Sequence, residues 1–404
     1  MRFRATVFAA PHRAMFLAGM LQALVVMAFW VIELGARSGF WLPVSWPLFT
    51  LLPPIWWHAT VMTAGVLAFF VFGFILTAGP RWQGYGDLPK HYFLPASGLL
   101  LGGWLLVWAA LWWPLLLVAG LMLVLTGWLA VATSLTVIAR RPAAERQYIA
   151  LSAAAVWAGA AGLAAFLGFA VDGDPALARA GIGLLLWGFL LPMFLTITHR
   201  MLPFFTASDF PGYVSYQPRW ALRGVLAASL SHGLLDFLEL RPWLWCVDLP
   251  AACVMLHLTW RWWEPRVAGQ RMLAVLHIAF GWCGLAFLLF AGQSLLWTMW
   301  PGILGLAPVH ALTLGYFSAM LVGMISRVTL GHAGRRVVPD AAMWRAFWLM
   351  QAGALLRVAS DLPAIPAAQS LLLASGALWF AAFSIWTVRY APNLWRPRID
   401  GRPG

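Results

Sequence analysis

His310 to Arg335 reads HALTLGYFSAMLVGMISRVTLGHAGR, an apolar run opened by a histidine, carrying Arg327 near its end and closed by Leu-Gly-His-Ala-Gly-Arg. On an α-helix the distance from His310 to His332 is roughly 33 Å, about one bilayer thickness. Read this way the stretch is a membrane-crossing helix, and runs of the same kind recur along the whole chain. Polar side chains at the two faces of such a helix are candidates for binding.

Working outward from it, twelve apolar runs appear, at approximately 14–34, 57–79, 94–113, 115–139, 147–171, 177–199, 219–239, 243–263, 271–292, 308–330, 342–360 and 366–389. The chain is 62% hydrophobic and only 10% charged, whereas a soluble domain carries about 25% charged residues. The expected architecture is therefore an all-α polytopic membrane protein: a single bundle of about twelve transmembrane helices forming one domain over 1–404. The longest loops are 35–56 and 200–218, and a Gly173-Asp174-Pro175 turn separates the fifth and sixth runs. Other connections are short, so sequence neighbours should pack as antiparallel hairpins. The first run follows Arg2, Arg4 and Arg13 as a signal peptide would, but no small-residue cleavage site follows and eleven more runs do. It is read as a retained helix.

The net charge of +13 does not indicate nucleic acid, because the basic residues fall by topology. With the N-terminus inside, 22 of the 26 Lys and Arg residues lie on one side, leaving Arg37, Arg179, Arg241 and Arg357 opposite. That is the positive-inside pattern, and it places both termini in the cytoplasm. Tryptophans cluster near helix ends, among them Trp56, Trp57, Trp112, Trp113, Trp262 and Trp263, as interfacial anchors do. Cys246, Cys253 and Cys283 all fall within runs and give no disulfide framework.

A faint internal echo links three runs. The second starts at His58 (HATVMTAG) and ends Leu-Thr-Ala-Gly; the tenth starts at His310 and ends Thr-Leu-Gly-His-Ala-Gly; the sixth ends Thr-His-Arg, like Ile-Ser-Arg of the tenth. Repeats of four helices would place the second, sixth and tenth runs equivalently.

Nine histidines stand against one lysine and thirteen acids. His58 and His310 open helices of the same direction, so they lie at one depth. Two imidazoles at equal depth on different helices can clamp a haem iron from opposite faces, or each can be an interfacial residue bonded to a carbonyl. His58, Met62 and Gly65 share a helix face at α spacing; Met62 is an alternative axial ligand, and Gly65 leaves room for a macrocycle. Near the other face His257 and His277 should nearly oppose each other, with Cys253 and Cys283 close by. That set suits copper or another soft metal, although buried free cysteines are commonly small apolar residues. His232 and Asp236 share a face, with Asp248 at comparable depth, as a proton route or as a structural hydrogen-bonded pair. Arg327, His332 and Arg335, with His199 and Arg200, form a basic rim able to hold haem propionates or other anions; Arg327 stands out because it lies inside the apolar run.

At these residues the chain resembles the NnrS family of twelve-helix bacterial membrane proteins. Trp57-His58, Met62, Gly73-Phe74-Ile75-Leu76-Thr77-Ala78, Pro80, Trp82 and Gly84 are similar to one family segment. Arg200 with Pro203-Phe204-Phe205-Thr206, Leu276-His277, and His310-Ala311-Leu312-Thr313 through Gly315, Met324, Arg327 and Leu330-Gly331-His332 to Gly334-Arg335 are similar to three more, in the same order. The resemblance implies a haem b- and copper-containing protein of the bacterial inner membrane, tied to denitrification and to protection against nitric oxide. One departure stands out: the family tends to have His-x-His-Glu-Met where this chain has His58-Ala59-Thr60-Val61-Met62. That leaves copper less well supported than haem. The expected partners are the lipid bilayer and a small gaseous ligand such as nitric oxide. Three alternatives remain: a secondary transporter, a catalytic relative of haem–copper oxidases and nitric oxide reductases, and a non-catalytic assembly or sensing factor.

Overall fold

A computed structural model describes residues 6–338, 340–363, 365 and 367–401. Arg2, Arg4 and Arg402 of the charge tally, and the first residue of the twelfth run, lie outside the described residues. The described residues form helices joined by turns and loops, without a strand. Twelve long helices correspond to the twelve runs: α1 Pro11–Arg37, α2 Pro54–Trp82, α3 Leu94–Ala109, α4 Leu116–Arg140, α5 Gln147–Asp172, α6 Pro175–Asp209, α7 Arg219–Phe237, α8 Trp245–Trp262, α9 Arg271–Leu295, α10 Ala307–His332, α11 Ala341–Ala359 and α12 Ala368–Tyr390. All but α7 and α11 belong to segments long and apolar enough to cross a membrane. The protein is an all-α polytopic membrane protein.

Its contacts gather into two compact units. The first holds the chain up to Val26, Val44–Thr196, and the chain from Ala391; the second holds Met27–Pro43 and Ile197–Tyr390. Within the first, α3 packs on α4 through facing glycines: a Cβ at Gly103 would sit 2.8 Å from the Gly120 carbonyl oxygen, and one at Gly120 2.9 Å from that of Gly103. Such contacts bring backbones together where no hydrophobic force drives helices to associate. Within the second, α8 and α9 form a hairpin with Leu256 against Gly284 and Thr259 against Gly281. Two tryptophans of α12, Trp379 and Trp386, donate to Ser318 and Ser326 of α10 at 3.2 and 2.8 Å.

Three helices leave α geometry at a matching place. α2 is π-helical over Val61–Leu67, α6 over Leu184–Leu190 and α10 over Ala311–Ser318. Such turns are rare and often mark functional sites. The fifth residue of each is a glycine, Gly65, Gly188 and Gly315. Each faces the twelfth residue of the helix before it: a Cβ there would lie 3.2 Å from Gln22 Nε2 of α1, 3.2 Å from Ala158 Cβ of α5 and 2.4 Å from Trp282 Cδ2 of α9.

The match continues along α2 and α10. Gly73 packs on Met15 and Phe16 of α1, and its counterpart Gly323 on Val275 and Leu276 of α9. Both helices then end in a Schellman cap, a 6→1 bond closed by a left-handed glycine. Gly84 has φ +80° with Tyr85 N–H donating to the Pro80 carbonyl (2.9 Å); Gly334 has φ +71° with Arg335 N–H donating to the Leu330 carbonyl (3.0 Å). Corresponding features thus recur every four helices, in α2, α6 and α10. In this register Thr198-His199-Arg200 does align with Ile325-Ser326-Arg327. His58, however, falls opposite Pro308, and His310 opposite Thr60, two residues from the direct match of the two histidines.

Candidate functional site

In the first unit His58 is half-buried in the last α-turn before the π segment of α2. Because the turns from Val61 are wider than α turns, Met62 and Gly65 do not continue its face at the expected spacing. The room expected at Gly65 is filled: the Trp104 ring edge and the Gln22 amide lie against it. Around this place several polar atoms are buried without a hydrogen-bond partner among the described residues, namely Thr60 Oγ1, Gln22 Nε2 and Trp104 Nε1.

In the second unit His310 is the residue directly before the π segment of α10. Its Nδ1 lies 2.9 Å from the Leu306 carbonyl oxygen. A carbonyl can only accept, so Nδ1 carries a proton, and in the neutral ring the lone pair is on Nε2. Metal-binding histidines are commonly oriented in this way.

The motif residues at the end of α6 meet α9 and α10 in the second unit. Thr206 Oγ1 donates to the Leu202 carbonyl (2.9 Å) and lies 3.1 Å from His277 Nε2. With its single proton committed, the hydroxyl must accept from His277, which places the proton on Nε2 and the lone pair on Nδ1. One turn on, Arg327 grips Asp209 in a two-pronged ion pair (3.1 and 2.8 Å) above the Phe205 ring, 4.4 Å from its centroid. The anion in front of Arg327 is thus the protein's own Asp209. Arg335 is exposed past the cap, and His332 closes α10 half-buried. His199 Nε2 donates to the Pro218 carbonyl (3.3 Å), while Gln217 Nε2 donates to the carbonyls of His199 and Arg200, pinning the loop before α7.

The expected His257–His277 pairing does not form. The α8–α9 hairpin is registered by Leu256 on Gly284 and Thr259 on Gly281, and continues with Trp263 edge-on to His277 at 5.8 Å. Along that ladder His257 is level with residue 283, six residues from His277, and its ring meets Tyr216 and Trp260 instead. Cys253 is exposed while Cys283 is buried. No three His, Cys, Asp or Glu side chains are grouped to hold a metal among the described residues. Nearby, outside the spans, the Arg266 guanidinium donates to Glu264 (2.8 Å) and holds its carboxyl below the ordinary range.

His232 does find a carboxylate, on α8 rather than on its own helix. Nδ1 lies 2.7 Å from Asp248 Oδ1, both side chains being almost fully buried, with Phe290 against the imidazole. Asp236 pairs with Arg241.

The family model described as NnrS protein matches residues 6–398, nearly the whole chain. The chain belongs to the NnrS family. A search of curated proteins gave no match. Within this NnrS protein the four quoted motifs take distinct structural parts: the α2 segment supplies His58, Gly73 and the Gly84 cap, and the other three supply the Thr206–His277 and Arg327–Asp209 contacts and the α10 cap. Sequence reasoning missed Gln22, Trp104, Trp282 and Gln351, which carry the polar contacts beside the π-helical glycines. No motif marks them, and only the repeat register of the folded chain brings them out.

Proposed function

We propose that this NnrS protein binds haem b in the bacterial inner membrane, with both termini cytoplasmic, and handles nitric oxide as part of denitrification-linked protection. The observation that carries the reading is the His310 imidazole, whose Nδ1 lies 2.9 Å from the Leu306 carbonyl oxygen, directly before the π segment of α10. A histidine oriented by a carbonyl in this way would suit holding haem iron. His58, in the last α-turn before the π segment of α2 in the first unit, is a second candidate for the same role. Bound haem would supply an iron able to take a diatomic ligand. The protein's part is to orient the His310 imidazole through the Leu306 carbonyl. The side chains do not assemble a copper cage among the described residues, so the proposal extends to haem and not to copper.

Recurrence every four helices, an even number, agrees with the reading as a relative of haem–copper oxidases better than with a transporter of the inverted-repeat kind. Purified protein should show a Soret band that is lost or shifted in His310→Ala and in His58→Ala. Full haem occupancy in the double variant, or no Soret band in the parent protein, sinks the proposal.

A further inference from the structure

We propose that Gln22 of α1 and Trp104 of α3, in the first unit, form a binding site for a lipid-soluble quinone. The argument starts from the orientation of an amide. Trp108 Nε1 lies 3.1 Å from the Gln22 side chain, and an indole N–H can only donate, so the amide atom it meets is the oxygen. The Gln22 NH2 group is therefore turned the other way. There it is buried and makes no hydrogen bond among the described residues. Trp104 Nε1 is in the same condition. Both donors adjoin one spot beside the π-helical turn of α2: a Cβ at Gly65 would lie 3.2 Å from Gln22 Nε2 and 3.0 Å from Trp104 Cε2, the ring carbon bonded to Nε1. The Thr60 hydroxyl, one turn earlier, is buried without a partner as well.

Unpaired donors inside a membrane protein are costly, and the bilayer core offers no water to relieve them. An acceptor therefore belongs at this place. Its chemistry follows from what surrounds it. The donors are neutral, and none of the residues named carries a guanidinium or ammonium group, as a phosphate or carboxylate would require. What surrounds the donors is aromatic: Trp57 and Trp108 pack edge to face at 5.0 Å. Two neutral N–H groups beside indole rings suit a neutral carbonyl on a flat ring.

The approach is from the bilayer. Gln22 is only partly covered, and Leu21 and Val25 on α1 and Leu105 on α3 are exposed on the surface that lipid meets. An isoprenoid tail would lie along these side chains. The second unit holds a reduced version of the arrangement, in which Trp282 Nε1 donates to Gln351 Oε1 (2.7 Å) and Gln351 Nε2 is left bare. It lacks the second bare indole, which makes it the internal control.

The test uses the full-length protein in nanodiscs, photolabelled with an azido-substituted short-chain ubiquinone and mapped by mass spectrometry, alongside equilibrium binding of short-chain ubiquinone and menaquinone analogues. Label should concentrate on the peptides around Gln22 and Trp104. Gln22→Leu and Trp104→Phe should each weaken binding about three- to tenfold, the loss of one hydrogen bond, and Gln351→Leu should leave it unchanged. Trp104→Phe keeps the aromatic packing, so its result stands even if Gln22→Leu folds poorly. Label spread evenly over the lipid-facing helices, or unchanged affinity in both variants, overturns the proposal and leaves water or a lipid chain as the occupant. None of these readouts depends on haem.

Discussion

At the scale of single residues, the positions with most charge turn out to hold the protein to itself. Arg13 was counted among the residues that set topology, yet its guanidinium is buried and its Nη1 reaches the carbonyls of Leu394 (3.1 Å) and Arg396 (3.0 Å). The short helix Pro392–Trp395 ends there with carbonyls that have no helical partner, and a buried cation is the group that satisfies them. Arg13→Met should therefore cost about 1.5–3 kcal/mol, the range for a hydrogen bond from a charged donor. Hydrogen exchange should show residues 392–398 opening first, with α2 still protected; uniform destabilisation without local opening would contradict the assigned role. Arg327 tells a similar story. Its place inside an apolar run was legible, but its partner was not, because Asp209 lies on another helix 118 residues away. Thr60 is the reverse case, a site where the family tends to have histidine and this chain buries a bare hydroxyl.

At the scale of elements, hydropathy was enough to place twelve helices, since a run of apolar residues long enough to cross lipid has no alternative fold there, but α6 runs on to Asp209, through the first ten residues of the expected 200–218 loop. The π turns could not be read in the same way. They differ from α turns by one extra residue per hydrogen bond, and no residue type demands that. What betrays them in hindsight is a glycine at the fifth position of each, placed against a bulky or polar side chain of the preceding helix. The cost of filling that space should follow the clearances. A Cβ would come within 2.4 Å of Trp282 at Gly315, 3.0 Å of Trp104 at Gly65 and 3.2 Å of Ala158 at Gly188. Trp282 cannot yield freely because its N–H is tied to Gln351. Thermal unfolding in detergent should therefore rank the three Gly→Ala variants with Gly315→Ala the most damaging, by about 1–3 kcal/mol as for other overpacked sites, and Gly188→Ala the mildest. The same logic explains the failed His257–His277 pairing. Counting in from the hairpin ends assumed a symmetric turn, and the real register is set by glycines that accept Leu256 and Thr259.

At the scale of the whole chain, an even number of crossings should return the two ends of the chain to one side of the membrane, and the distribution of charge should select which side. Of the four arginines on the poorer side, Arg241 and Arg357 are each paired with a carboxylate, Asp236 and Asp361. That leaves Arg37 and Arg179 as the basic residues there without an ion pair among those described. On the richer side Arg140, Arg141, Arg219, Arg223, Arg335 and Arg336 make no ion pair in the described structure either, so the asymmetry survives when internal ion pairs are set aside. Since basic residues resist translocation and acids contribute little, the rich side should be cytoplasmic. A green fluorescent protein fused after residue 404 should fluoresce, and alkaline phosphatase fused there should be inactive. Alkaline phosphatase inserted into the 35–56 loop should be active. The opposite pattern at both positions would invert the membrane orientation and, with it, place His58 and His310 at the cytoplasmic rather than the outer face.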